Sequence, residues 1–195
     1  PRILIIGGGF GGLFTALELA GTGDVTLISD ADHFLFKPML YEYLSGEVES
    51  WHIAPSYGEL LDERVKFIRS GVTAIDLSLR SVMLQQRQEP LTYDTLVLAV
   101  GGVTNYAGVP GAAEFAIPFR KLGDADQLRQ RLVAALDRIP PDLPPQDVRS
   151  ALTFVIVGGG ASGAVGDLLT LAVRRAAAPP APPPRHAHLA HHAVF

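Results

Sequence analysis

The feature that most constrains this chain stands at its start. Arg2 to Ile6, with four large aliphatic side chains, runs straight into Gly7-Gly8-Gly9-Phe10-Gly11-Gly12. An apolar run followed by Gly7, Gly9 and Gly12 on a G-x-G-x-x-G spacing predicts a buried parallel strand, a sharp turn, and a helix whose leading N–H groups face a pyrophosphate. Gly7 would make the turn, Gly9 would let backbone approach phosphate oxygens, and Gly12 would let the helix lie close on the strand. Leu13, Ala16, Leu17 and Ala20 then repeat at helical spacing, and Val25 to Ile28 supplies a second apolar strand. The expected fold class is α/β, Rossmann-like. The competing reading, a glycine-rich turn without a ligand, sits poorly with a strand on one side and a helix on the other.

The opening pattern returns downstream. Leu152 to Val157 predicts a β-branched strand, and Gly158, Gly160 and Gly163 repeat the phosphate-binding spacing. Two such units predict two dinucleotide sites, one for a flavin and one for a nicotinamide. Between them, Asp124 to Ile139 predicts an amphipathic helix with Leu128, Leu132, Leu136 and Ile139 on one face. Pro140, Pro141, Pro144 and Pro145 end it, which puts a domain boundary near 140 to 150.

Composition removes several alternatives. A net charge of -4 leaves no basic surplus for a phosphate backbone, so no nucleic-acid partner is expected. The chain has no cysteine, which excludes a thiolate metal site and a redox-active thiol pair within it. No charged leader or cleavage site precedes the first strand, so a secretory signal is not expected, and the absence of an initiator Met points to trimming. Ala151 to Val173 is long and apolar enough to span a bilayer, but Gly158, Gly159, Gly160 and Gly163 break it into strand, turn and helix.

After the second strand, an acid about 20 residues beyond the glycines should meet a ribose, and Asp30 is the candidate. Ser29 to Asp32 also reads as a solvated turn. Phe34, Phe36 and Tyr41 follow in a segment interrupted by Pro38, and a flat apolar ring would fit among them with Lys37 as the nearby cation. An aromatic core with a surface lysine is the commoner arrangement. Val65 to Ile68 predicts a third strand, Gly71 to Leu84 a hairpin, and Tyr93 to Gly101 a buried strand ending in glycine.

At this point the chain resembles the type II NAD(P)H:quinone oxidoreductases, most closely the cyanobacterial and chloroplast branch that reduces phylloquinone-type naphthoquinones. The resemblance rests on Gly7 to Gly12, Asp32-His33-Phe34, Phe36 to Glu42, Trp51 to Pro55, and the link from Asn105 to Ile117. It implies FAD held by Gly7, Gly9, Phe10, Gly11 and Gly12, with Lys37 and Pro38 beside the flavin. The family's acid at the end of the second strand falls on Ser29, with Asp30 one place later. Val72 would meet adenine through its backbone, and Ala99 and Gly101 would lie near the pyrophosphate. Gly158, Gly160, Ala161, Ser162 and Gly163 would hold NADH or NADPH.

The resemblance also marks departures. Relatives follow the third glycine of the second set with Val-Glu, whereas this chain has Ala164-Val165-Gly166-Asp167, and no catalytic residue is assigned. Ala176 to Pro184 is all alanine and proline, where the second ribose acid would stand. The histidines from His186 to His192 invite a metal site, yet they have no carboxylate or cysteine nearby, and a disordered tail is the expectation.

The expected organisation is a FAD-binding domain over 1–145, the start of an NAD(P)-binding domain over 150–175, and a tail over 176–195. The chain reads as the N-terminal half of its relatives, a fragment of a longer product. Its expected activity is hydride transfer from NAD(P)H to flavin, then two electrons to a quinone acceptor. The expected location is cytoplasmic, with peripheral contact at the cytoplasmic face of a membrane through a C-terminal region absent here. A catalytically silent dinucleotide-binding module and a flavin reductase serving a soluble electron carrier are the alternatives.

Overall fold

The structure is a computed structural model and describes residues 1–140 and 142–157. Its contacts divide the chain after Asp126 into two units, Pro1–Asp126 and Gln127–Phe195.

The first unit begins with β1 (Arg2–Ile6), α1 (Phe10–Glu18) and β2 (Asp24–Ser29). A 3₁₀ turn at Lys37–Met39, α2 (Leu40–Ser45), α3 (Ser50–Ile53) and α4 (Tyr57–Leu60) lead to β3 (Val65–Arg69). The hairpin strands β4 (Val72–Asp76) and β5 (Ser81–Leu84), the short β6 (Leu91–Thr92), and β7 (Thr95–Leu98) follow. The parallel sheet has the order β3-β2-β1-β7, and β4-β5-β6 form a separate antiparallel sheet.

The aliphatic run of β1 is continuous because the sheet is covered on both faces. Successive side chains alternate between them. Ile3 and Ile5 pack with Val25, Leu27, Leu13, Ala16, Phe34 and Tyr57 on the α1 side. Leu4 and Ile6 pack with Ile28, Val82, Leu84 and Tyr93 on the side of the antiparallel sheet. The first strand therefore belongs to two cores at once.

At the start of the sheet, the backbone N–H of Arg2 donates to Asp94 Oδ2 at 2.7 Å, and its guanidinium pairs with Asp94 Oδ1 at 3.2 Å. This clip fixes β7 against β1, with Ile3 opposite Thr95. The expected burial of β7 is only partial. Among the described residues it is the edge of the parallel sheet, and Leu96 and Val97 are half-buried while Leu98 is exposed.

Between β2 and β3 the chain folds back on itself. The N–H groups of Phe34 and Phe36 donate to the carbonyls of Pro55 and Ile53 at 3.0 and 2.7 Å. Ser56 and Glu59 form a capping box that starts α4, which places Tyr57 at its first position, facing inward.

After the short α5 (Ala112–Phe115), the helix expected from Asp124 to Ile139 is formed as α6 (Leu122–Asp137). Leu132 on α6 is buried. In the second unit, α7 (Pro145–Ala151) occupies the proline-rich stretch, with Pro145 in its first turn, where the missing N–H costs nothing. The strand expected at Leu152–Val157 is not formed: α7 runs to Ala151, and residues 153–157 are irregular. A strand needs a ladder partner, and both sheets among the described residues lie in the first unit.

Ile5 is fully buried at the centre of the α1-side core. Ile5→Ala is expected to cost about 2–5 kcal/mol of stability. Leu77→Ser, at an exposed hairpin tip, should stay within about 0.5 kcal/mol. Urea denaturation of the two variants checks the contrast.

Candidate functional site

The site is built from the turn between β1 and α1. Gly7 has φ +105°, and its N–H donates to Ile28 O at 2.8 Å. A Cβ on Gly7 would lie 2.3 Å from Ala99 O, and one on Gly12 would lie 1.7 Å from Gly7 O. The helix thus rests directly on the turn, a closeness that only a missing side chain permits. Behind the turn, a Cβ on Gly8 would stand 1.8 Å from the Tyr57 hydroxyl.

Gly9 differs. A Cβ there would meet nothing within 4 Å, and its backbone is extended with φ -71°. Leu13 N–H is the first to reach back along α1, to Gly9 O at 2.9 Å, so the N–H groups of Phe10, Gly11 and Gly12 lead the helix without intrahelical partners. No acidic side chain occupies this first turn. Donors, the positive end of a helix dipole and free space meet at one point, and a pyrophosphate fits there.

A cleft of about 280 Å³ opens beside the turn. Its walls are the carboxyl ends of the parallel strands: Ile6 and Gly7 after β1, Ser29 and Asp30 after β2, Ser70 to Val72 after β3, and Val100 after β7. The chain passes from β1 outward to β2 and β3 on one side, and β7 lies on the other. This is a topological switch point, where open α/β sheets leave a crevice for ligands.

The sequence candidates divide by position. Ser29 is buried beside Gly8, and its Oγ accepts the Ala31 N–H at 3.3 Å. Asp30 is exposed at the cleft, and Val72 lines it half-buried. Ala99 N–H donates to Ile6 O at 2.8 Å, which brings that residue onto the glycine turn, and Gly101 follows with φ +68°. Lys37 and Pro38 are exposed on the 3₁₀ turn and do not line the cleft. Gly158, Gly160, Ala161, Ser162 and Gly163 lie outside the described residues.

Phe10 projects from the helix start into an aromatic group. Its ring centroid is 4.9 Å from Phe34, edge-on, 5.4 Å from Phe36 and 6.2 Å from Phe14. An apolar flank of this kind beside a phosphate-binding turn suits a ligand with both a charged and a flat apolar part.

Two residues that sequence reasoning passed over hold the cleft in shape. The Tyr57 hydroxyl donates to Gly8 O at 2.6 Å, across 49 residues of chain. Burial pushes its phenol upward, opposed by Ser29 and assisted by the charge of Asp30. Arg120 donates through Nη2 to Gly102 O at 2.7 Å and so ties down the loop after β7. Its own backbone N–H and that of Lys121 donate to Asp124 Oδ2 at 2.8 and 2.9 Å. The Ser56-Glu59 spacing could have located Tyr57; nothing in the sequence marks Arg120.

Asp32 accepts from His33 Nδ1 at 2.8 Å and from Arg69 Nη1 at 2.7 Å. The His33 hydrogen bond holds its carboxyl below the usual range, opposed by burial and assisted more weakly by the Arg69 charge. Asp32 is thereby occupied within the fold. Among the described residues there is no group of metal-ligating side chains, and no helix is long and apolar enough to cross a membrane.

Comparison with known proteins agrees with this fold. Residues 1–166 match the family profile described as pyridine nucleotide-disulphide oxidoreductase. Over 174 residues the chain is 40% identical to demethylphylloquinone reductase NdbB of Synechocystis sp., covering 84% of this chain and 41% of that protein. It is 37% identical over 183 residues to the alternative NAD(P)H-ubiquinone oxidoreductase C1 of Arabidopsis thaliana, with 84% and 34% coverage. The solved structure of NDH2 from Plasmodium falciparum in complex with NADH superposes with a TM-score of 0.75 at 26% identity, covering 83% of this chain and 35% of that one. The chain therefore spans less than half the length of the relatives it matches.

Gly9→Ala should fold with a change of no more than about 1 kcal/mol, whereas Gly12→Ala should lose about 3 kcal/mol as the helix is forced off the turn. Urea midpoints check both. Tyr57→Phe leaves Gly8 O without its donor and should cost about 1–3 kcal/mol at neutral pH. Because the folded state raises this phenol, its contribution is complete below pH of about 10 and declines as pH rises through the raised value. The loss of stability above pH of about 10 should therefore be smaller in Tyr57→Phe, as read from urea midpoints on a pH series.

Proposed function

This chain belongs to the pyridine nucleotide-disulphide oxidoreductase family, and from that membership we propose that it acts as the flavin-holding part of an NAD(P)H:quinone oxidoreductase. The observation that carries the reading is the open Gly9 face beside the unpartnered N–H groups of Phe10, Gly11 and Gly12, set at the switch point of the sheet. The 40% identity to a demethylphylloquinone reductase supplies the chemistry.

FAD is the group the cleft suits. The α1 N-terminus would take the pyrophosphate, Ser29 and Asp30 would stand at the ribose, and the backbone of Val72 would meet adenine. Ala99 and Gly101 would complete the phosphate wall, with Lys37 and Pro38 toward the ring. When bound, a flavin accepts hydride from NADH or NADPH and passes two electrons to a quinone.

The protein's own contribution is positioning. Tyr57 fixes the glycine turn from behind, Arg120 fixes the loop after β7, and Phe10, Phe34 and Phe36 give one flank an apolar aromatic surface. With no cysteine in the chain, none of its residues can form the thiol pair on which a disulphide reductase depends.

The proposed organisation is a FAD-binding domain over 1–145 and the opening of an NAD(P)-binding domain over 150–175, with Gly158, Gly160, Ala161, Ser162 and Gly163 at its phosphate turn. Residues 176–195 form the tail. A quinone acceptor and a peripheral place at the cytoplasmic face of a membrane belong to the same reading. Flavin binding without hydride transfer is the second reading, favoured by Ala164-Val165-Gly166, a stretch without the glutamate that the resembled family has after its third glycine, whether by replacement at Val165 or by a short deletion.

The purified chain should take up FAD and show a flavin absorption band. Gly9→Ala should weaken FAD at least about tenfold by fluorescence titration, with its fold intact. NADH under argon should bleach the band, and a naphthoquinone should restore it. A folded chain that does not bind added FAD overturns the proposal; binding without bleaching selects the second reading.

A further inference from the structure

The parallel sheet carries another cavity, at the end away from Gly7. It occupies about 320 Å³ between the amino ends of β1, β2 and β3 and the segment around β6. Its apolar wall includes Leu4, Ile68 and Leu91, and its charged lining is the cations Arg2, Lys66 and Arg87 with the carboxylate of Asp24.

Two of those cations are matched within the protein. Arg2 pairs with Asp94 at 3.2 Å and donates to Thr92 Oγ1, and Lys66 pairs with Asp24 at 2.7 Å. The Arg87 side chain makes no ion pair or hydrogen bond among the described residues. Among the described residues the lining therefore keeps one uncompensated positive charge beside an apolar wall.

A second observation is independent of charge. Thr26 lies in the middle of β2, between Leu4 and Lys66 in register, and is 7% exposed. It lines the cavity, and its hydroxyl has no hydrogen-bond partner among the described residues. No buried side-chain oxygen among the described residues lacks a hydrogen-bond partner, so the Thr26 hydroxyl opens onto the cavity, where a ligand group can meet it.

We propose that this cavity binds a small organic monoanion: a carboxylate on a flat apolar body that carries a second polar substituent. The single free charge of Arg87 sets the ligand's charge, with a planar fork suited to a carboxylate. Leu4, Ile68 and Leu91 take the apolar body, and Thr26 reads the second substituent. The volume is in the range of small-molecule sites. Because the ligand would touch both the parallel sheet and the β6 segment, its binding would stabilise their junction by mass action.

The test titrates the 195-residue chain calorimetrically with 4-hydroxybenzoate, benzoate and 4-hydroxybenzyl alcohol, each with and without FAD. We expect 4-hydroxybenzoate to bind best and to raise the thermal midpoint. Arg87→Gln should weaken it about tenfold, Arg87→Lys should retain part of the affinity, and Thr26→Val should abolish its advantage over benzoate while leaving benzoate unchanged. The result should be the same whether or not FAD is taken up, so failure of the flavin reading leaves this one standing. Absence of binding by 4-hydroxybenzoate at millimolar concentration overturns the proposal, as does binding that Arg87→Gln or Thr26→Val leaves unaltered in variants with wild-type urea midpoints.

Discussion

The contact between Gly12 and the carbonyl of Gly7 is the constraint on which the rest of the first unit depends. A Cβ at Gly12 would fall 1.7 Å from that oxygen, so the first turn of α1 lies on backbone and not on side chains. This closeness aims the free N–H groups of Phe10, Gly11 and Gly12 past the end of β1, and it brings Leu13 and Ala16 within reach of Ile3 and Ile5. One steric condition thus serves both the core and the anion-facing end of the helix. The layers on either side of the sheet then follow from the alternation along β1, which sends its neighbours into different cores.

Most of this frame was legible in the sequence because it rests on local rules. The strand, turn and helix from Arg2 to Glu18 follow from an aliphatic run and glycine spacing, and the hairpin of β4 and β5 follows from alternation across a turn. The break of the aromatic segment into a 3₁₀ turn and short helices follows from Pro38 and Gly46. What was not legible depends on contacts between distant residues. Burial of β7 could not be read from its composition, since Thr95 to Leu98 resemble a central strand and only the sheet order makes them an edge. Leu152 to Val157 has the composition of a strand but has no partner among the described residues, and composition cannot supply one.

The site divides in the same way. Gly7, Gly9 and Gly12 act through absence of a side chain, and that absence is visible in any sequence. Tyr57 and Arg120 act through single hydrogen bonds to carbonyls, which any tyrosine or arginine could make. Asp32 illustrates the converse. It stands in a stretch that invites a ligand-binding reading, yet His33 and Arg69 have already engaged it. The groups this cleft presents are mainly backbone ones, and side chains from remote segments set where they lie.

The bond from Tyr57 to Gly8 has a consequence for how the protein comes into being. The glycine turn is encoded in six consecutive residues, but one of its carbonyls is held by a ring that arrives only after the excursion through α2 and α3 has closed. Closing a loop of that length must be repaid by contacts made at its far end. The shape of the turn accordingly depends on a distant segment: the first strand, turn and helix cut out as a peptide would contain every motif residue and still lack the wedge that shapes them.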